Sequence, residues 1–527
     1  MTRPKAVTPH TTVIIGAGFA GLGTAIRLLQ SGIEDFVILE RGSRVGGTWR
    51  DNTYPGAACD IPSLLYSYSF ALNPEWSRGY SGSAEILGYI DHMVERFGLL
   101  RFIRFHTTVT AATFDAAAGV WNVETEDGTA YRGRTAVMAA GPLANASLPD
   151  IRGIDTFTGV KIHSARWDHS YDFAGKRVAV VGTGASAVQI IPELAGVAAQ
   201  LTVYQRTPGW VIPRTDYRTP WWTKQLYRRM PTAQRAAREG LFWVHETMAL
   251  GMVWSTPLTR VIEQIAGAHL RRQVRDPWLR RQLTPDFRAG CKRMLVSNDY
   301  YPALQRPNSK LVTWPIATIS PDGIRTSDGI ERQFDAIVFA TGFDITKTGT
   351  PFPITGLDGR LLADEWRHGA QAYKSVNVSG YPNLFFTFGP NSGPGHNSAL
   401  VYMESQIEYI VRATKTIVDR ELLMLDVRGH VQHQYNVRMQ ERLKHTTWNS
   451  GCRSWYLTDD GFNGAMYPGF ATQYARQMGE LRLADYVVTA RSGKRSDDTE
   501  HVVELPRRRL PAVRTLERTR NARVPHR

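Results

Sequence analysis

Two runs in this chain have the glycine spacing that lets backbone amides close on a phosphate: Gly16-Ala17-Gly18-Phe19-Ala20-Gly21 and Gly182-Thr183-Gly184-Ala185-Ser186-Ala187. In such a run the first glycine permits a tight turn and the second lets the backbone approach a pyrophosphate. The third position must be small so that the following helix packs closely on the preceding strand. Gly21 meets that need in the first run and Ala187 in the second. Glu40 lies 24 residues past Gly16, and Arg206 lies 24 residues past Gly182. An acid at that point accepts hydrogen bonds from a free ribose hydroxyl and repels a 2′-phosphate; an arginine does the reverse, with bidentate geometry. The two sites are therefore expected to take different dinucleotides, the second carrying a 2′-phosphate, with Thr207 beside Arg206 as a further donor.

Such residues need a strand before each turn and a helix after it. Residues 12–15 and 177–181 are short apolar runs of the kind that form buried parallel strands, and helical patterns follow from about residue 20 and from residue 185. Gly32 is the expected stop of the first helix, and Pro192 is expected to kink or shorten the second. Residues 36–39 form the strand that ends at Glu40. Further strands are expected over 105–114, 120–125, 135–140, 334–339 and 383–388, with a helix opening near Ser398. Residues 216–281 are rich in Trp, Arg, Leu and Ala with few glycines, the pattern of a helical insertion with an arginine-bearing solvent face.

Between the two turns stands Phe157-x-Gly159-x-x-x-His163-x-x-x-Trp167-Asp168. Residue for residue it resembles the fingerprint of Baeyer–Villiger monooxygenases, flavoproteins that use NADPH and O2 to insert oxygen beside a ketone. Gly46-Gly47-Thr48-Trp49, followed by Tyr54-Pro55-Gly56 and Asp60, resembles a second signature of that family, and Gly290-Cys291-Lys292-Arg293 resembles its catalytic-arginine segment. The resemblance covers about residues 10 to 480. It implies an α/β fold of two Rossmann-like domains: FAD-binding over 1–150 and 345–490, and NADP-binding over 151–344 with the helical insert, followed by a basic tail over 491–527.

The resemblance also implies roles. Gly16, Gly18, Gly21, Glu40, Gly47, Thr48, Trp49, Asp60 and Tyr66 fall to FAD. Thr183, Gly184, Ser186, Ala187, Arg206, Thr207, Lys292 and Trp455 fall to NADPH. Arg293, oriented by Asp60, falls to catalysis, stabilising a flavin C4a-peroxide and the oxyanion formed when it attacks a ketone, so that an ester or lactone results. His163 is implied in coupling the domains rather than in proton transfer. Trp167-Asp168 sets the chain apart from related flavin N- or S-oxygenases, the alternative function, which carry another aromatic there and no such acid. After Trp455 the chain runs Leu457-Thr458-Asp459-Asp460-Gly461-Phe462-Asn463 where well-known ketone monooxygenases have G-A-N-x-P-G-K. The ketone is therefore not carried over from them. An FAD- and NADP-binding redox sensor without turnover is a further alternative, of a different class.

Composition bounds these readings. At 527 residues the chain is too long for one core. It is 43% apolar and 21% charged, ordinary values for a globular protein. Its three cysteines, Cys59, Cys291 and Cys452, lie far apart with no C-x-x-C pair, so neither a disulfide framework nor a metal site is expected and a reducing cytoplasm is the natural compartment. Residues 241–254 come nearest to a membrane segment but are short and carry His245 and Glu246. Of the net charge of +15, the tail supplies +6 (11 Lys/Arg less 5 Asp/Glu), leaving +9 for a body expected to hold two polyanionic cofactors. A solvated basic surface is the expectation, with no nucleic-acid partner. The partners expected are a small ketone and O2, and the sequence leaves the oligomeric state open.

Overall fold

The structure, a computed structural model, describes residues 8–143, 145–343, 350–452, 454–458 and 460–491. The basic tail lies outside the described residues apart from Arg491.

Two parallel-cored sheets carry the molecule. In the first, His10–Ile15 lies between Phe36–Leu39 and Ala130–Met138, parallel to both. Ile103–Arg104 extends it beyond Phe36–Leu39. On the other side Ala130–Met138 runs antiparallel to Val120–Thr125, which pairs with Val109–Asp115. The later residues of Ala130–Met138 take Leu384–Phe386 in parallel, and Ile354–Thr355 joins Val109–Asp115. One sheet is thus built from both ends of the described chain. The second sheet is wholly parallel, in the order Ser309–Val312, Gln200–Tyr204, Arg177–Val181, Ala336–Phe339, Val160–His163. Strands covered on both faces read as unbroken apolar runs, and Phe36–Leu39 and Ala336–Phe339 are buried at every position.

Helix Phe19–Gln30 follows the first glycine run and helix Ala185–Val197 the second. The second helix continues past Pro192 to Val197, so the expected early end does not occur. An internal proline costs about 3 kcal/mol. Val188, Ile190, Ile191 and Leu194 are all buried beneath the second sheet, at roughly 1.5–3 kcal/mol each, so packing outweighs the missing hydrogen bond. The strand expected over 105–114 is divided, with Ile103–Arg104 and Val109–Asp115 separated by a turn in which His106 has φ +53°.

The insert is four helices: Trp221–Arg229, Pro231–Met252, Pro257–Gln273 and Pro277–Gln282. Three of them open on a proline, whose missing N–H is no loss in a first turn. Thr256 and Asp276 cap the last two, accepting from the amides of Leu258 and Trp278. Residues 241–252 belong to the second of these helices, which buries Glu246 and Ala249 and exposes Trp243 and Val244. Among the described residues no helix is long and apolar enough to cross a membrane, and no cluster of His, Cys, Asp and Glu could hold a metal.

The cysteine expectation is overturned. Cys291 and Cys452 form a disulfide, their Cα atoms 6.3 Å apart across 161 residues of sequence, and only Cys59 is free, buried. Spacing along the chain could not show this, because it is the fold that brings Gly290 and Cys291 against residues 447–452. The argument from cysteines to a reducing compartment loses its premise.

Candidate active site

The two glycine turns are built alike. Gly16 (φ +110°) and Gly182 (φ +116°) both adopt a conformation that disfavours side chains, and a Cβ there would lie 2.6 Å from the Ala139 carbonyl oxygen and 2.5 Å from that of Ala340. A Cβ on Gly21 would fall 1.9 Å from the Gly16 oxygen; Ala187, its counterpart, is fully buried. The middle glycines differ from these. A Cβ on Gly18 would meet nothing closer than Gly47 Cα at 3.7 Å, and one on Gly184 would meet nothing within 4 Å. Gly18 and Gly184 are also the N-caps of their helices, and no side chain caps either one. Each first turn therefore presents bare amides beneath open space, the arrangement that receives a pyrophosphate. The residues present fit the dinucleotides expected of them.

Around the first turn, Glu40 is 4% exposed. Its carboxylate accepts from the amides of Ala17 (2.9 Å) and Gly42 (2.8 Å) and from Arg50 Nη1 (2.6 Å). It thus shapes the turn as well as standing at its mouth, and Arg50, which pairs with Asp51 too, sets a cation against it. A Cβ on Gly47 would lie 3.3 Å from Gly18 Cα, so the Gly47 backbone passes beside this turn. Trp49 Nε1 donates to Tyr66 Oη (3.1 Å), and Phe19 packs edge-on against Tyr66. Burial pushes the Tyr66 phenol above its ordinary value, so it stays protonated.

At the second turn Thr183 Oγ1 donates to the Thr207 carbonyl (3.1 Å), tying the turn to the segment that carries Arg206. Arg206 is exposed. Lys292 lies close enough that Arg206 helps burial to lower its pKa, and its Nζ sits 4.8 Å from the centre of the Phe287 ring. The two bodies meet where Tyr54 Oη donates to Gln189 Oε1 (3.0 Å) and Gln189 Nε2 donates to the Ala58 carbonyl (3.0 Å). Ser186 lies on the same helix, close enough to Tyr54 to act on its phenol.

Asp60 and Arg293, 233 residues apart, join in this region. Arg293 Nε donates to Asp60 Oδ2 (2.9 Å), and Nη2 donates to Oδ1 (2.8 Å) and Oδ2 (2.7 Å). No described residue accepts from Nη1, and 44% of the arginine side chain remains accessible. Asp60 raises the guanidinium pKa against the opposing effect of burial, so the cation persists at every working pH. The arginine is anchored by Leu295–Val296, which pairs in parallel with Val211–Ile212, and by Gly290, whose φ of +90° and approach to the Met252 oxygen exclude a side chain. Sequence reasoning passed over Tyr456 as a site residue. It is 4% exposed, burial pushes its pKa up to about 12, and the Arg293 cation opposes that rise. Trp455, 48% exposed, stacks at an angle on it with centroids 4.2 Å apart.

The 157–168 stretch lies apart from the arginine. Phe157 is core, and a Cβ on Gly159 would collide with the Asp335 carbonyl at 2.6 Å. His163 ends the edge strand of the second sheet; burial lowers its pKa, and its Nδ1 accepts from the Ala165 amide. Trp167 stacks on Phe173, and Asp168 accepts from the amide and hydroxyl of Ser170. His169 then reaches across to Thr53 (2.7 Å). The motif thus builds the edge strand of the second sheet, where the chain leaves the first sheet and enters the second.

The chain is similar to known proteins over most of its length. The model of the flavin-binding monooxygenase-like family matches residues 10–237. A Baeyer–Villiger monooxygenase of Streptomyces coelicolor is 43% identical over 494 residues, 93% of this chain and 94% of the relative. One from Pseudomonas aeruginosa is 41% identical over 491 residues, covering 92% and 93%. Among solved structures, oxidized steroid monooxygenase bound to NADP superposes with a TM-score of 0.79 at 32% identity, covering 89% of this chain and 97% of that one. Cyclohexanone monooxygenase from Rhodococcus sp. Phi1 bound to NADP+ gives 0.79 at 26% identity, covering 92% and 100%. Two uncapped glycine turns beside a half-open arginine–carboxylate pair, and this likeness over nearly the whole length, lead to one conclusion: the chain belongs to the Baeyer–Villiger monooxygenases of the flavin-binding monooxygenase-like family.

Proposed function

We propose that Arg293, aimed by Asp60, is the group on which oxygen insertion beside a ketone carbonyl depends in this enzyme, an NADPH- and O2-dependent flavin monooxygenase with FAD and NADP(H) as its cofactors. A flavin held here and reduced by NADPH would supply the two electrons that activate O2, one of whose atoms passes to the ketone while the other leaves as water. The first turn, with Gly16, Gly18, Gly21 and Glu40, holds the FAD pyrophosphate and ribose. The second, with Thr183, Gly184 and Arg206, holds NADPH, and Lys292 adds charge near its 2′-phosphate. Gly47, Thr48, Trp49 and Tyr66 pack on the flavin side, and Trp455 on the nicotinamide nucleotide.

One observation carries the catalytic assignment. Asp60 occupies Nε and Nη2 of Arg293 and leaves Nη1 unpaired among the described residues, on a side chain still 44% accessible. A fixed donor that is always charged, preorganised where the ketone oxygen becomes negative, stabilises that charge without reorganising at the moment of reaction. Asp60 balances the cation in the resting site. The product is an ester or lactone.

Arg293→Ala tests the role. Loss of one preorganised donor of this kind costs about 10²–10³ in turnover, so ester formation from any accepted ketone should fall by at least that factor while the purified protein keeps its FAD. Undiminished ester formation would remove Arg293 from the mechanism.

A further inference from the structure

We infer that the insert completes the nucleotide site of the second turn. Arg281 serves as a second guanidinium for the 2′-phosphate of NADPH, and Trp278 as the face against which the adenine lies. The inference rests on the second turn being the NADPH site.

The last helix of the insert, Pro277–Gln282, is fastened to the segment that reads the ribose. Gln205 Nε2 donates to the Gln282 carbonyl at 2.7 Å, and Gln205 itself is buried. That contact sets Arg206 and Arg281 around one cavity of about 300 Å³, lined also by Trp278, Gln282 and Thr313. The volume is at the small end of the ~300–1,000 Å³ range of ligand sites, room for a nucleoside phosphate rather than a whole dinucleotide.

The electrostatics of the cavity are one-sided. No carboxylate lines it. Asp276, the nearest acid along the helix, accepts from the Trp278 amide as an N-cap. Nearby arginines behave differently: Arg280 of the same helix donates to the Arg275 carbonyl, and Arg288, beyond the helix, pairs with Glu263. Among the described residues neither Arg206 nor Arg281 has such a partner. Two unpaired guanidiniums facing one cavity repel each other, and Lys292 adds to the repulsion at Arg206. A phosphate monoester dianion between them turns that repulsion into two charge-assisted contacts. Trp278 is 64% exposed on the rim, an indole face left in water beside two cations, which suits stacking by a purine.

The test uses the FAD-loaded protein and two probes that differ only by the 2′-phosphate, adenosine 2′,5′-bisphosphate and adenosine 5′-monophosphate, titrated calorimetrically. Arg281→Gln should weaken the bisphosphate on the order of ten- to hundredfold and leave the monophosphate within about twofold. Trp278→Ala should weaken both probes by the same factor, roughly five- to tenfold for a lost stack. Arg206→Gln is the control arm. If it abolishes the preference for the bisphosphate while Arg281→Gln and Trp278→Ala bind like the unmodified protein, the insert takes no part and the inference fails alone. If Arg206→Gln also keeps the preference, the 2′-phosphate is read elsewhere and the assignment of the second turn falls with it. Retained FAD in each variant establishes folding, and the KM ratio of NADPH to NADH should move with the calorimetric preference.

Discussion

Asp60→Asn probes the pairing on which the catalytic assignment depends, because it keeps the shape of the side chain and removes its charge. Asp60 accepts three contacts of 2.7–2.9 Å from Arg293. Asparagine offers a single carbonyl oxygen, and its amide N–H groups would face the guanidinium N–H groups. At least one charge-assisted hydrogen bond is lost, worth about 1.5–3 kcal/mol when shielded. The side chains are 44% and 23% accessible, so water screens part of this, and about 2 kcal/mol of orienting energy is a fair figure. If that energy holds Nη1 toward the carbonyl, ester turnover should fall roughly thirtyfold. NADPH should still reduce the flavin, and oxygen consumed without ester should appear as hydrogen peroxide. The assay is ester yield per NADPH consumed, with FAD content measured on the same sample. Ester turnover equal to that of the unmodified enzyme would show that Asp60 does not aim Arg293. An equal fall in flavin content and turnover would show that Asp60 supports the fold rather than the reaction.

Three other expectations concern contacts that tie the C-terminal segment to earlier parts of the chain. A thiol titration of the denatured protein should find one reactive cysteine, Cys59, before reduction and three after it; three before reduction would mean that Cys291 and Cys452 are not joined in solution. Cys291→Ser should lower the thermal midpoint through about 2–4 kcal/mol of lost stability, and thermal melts with and without a dithiol reductant would measure it. Glu246 is buried against His396 (3.2 Å) and accepts from the amides of Ala471 and Thr472 and from the Thr472 hydroxyl. Burial opposes its charge, but His396 and the Thr472 contacts outweigh burial and bring its pKa from 4.5 down to about 2. A depressed carboxylate contributes stability above its unfolded pKa and loses it as pH falls through the folded one. The contribution, about 3 kcal/mol, is therefore expected to disappear between pH 4.5 and about 2. Melts of Glu246→Gln across that window should show a flatter acid limb, and a limb as steep as that of the unmodified protein would refute the coupling.

What the sequence could show was local. A glycine turn is specified by its own few residues, so Gly16, Gly18 and Gly21, with their counterparts from Gly182 to Ala187, were legible together with the strands before them and the helices after them. The contrast of Glu40 with Arg206 was legible for the same reason, since each lies one strand–helix–strand unit past its turn. Arg293 and Asp60 were candidates only through resemblance to a family, because nothing in their own neighbourhoods points from one to the other. Pro192 misled because propensity is a local quantity and the burial of Val188, Ile190, Ile191 and Leu194 is not.

The remainder was decided by how the chain returns on itself. Only the folded insert brings Cys291 to Cys452 across 161 residues, sets Arg281 beside Arg206 through the Gln205–Gln282 contact, and delivers Arg293 to Asp60 across 233. These contacts form only because two sheets bury their apolar faces and leave no other course for the segments between them. The sequence by itself determined the two glycine turns and set an acid, Glu40, past one and an arginine, Arg206, past the other. The tertiary structure determined that Arg293 pairs with Asp60, because long-range pairs follow from packing and not from spacing.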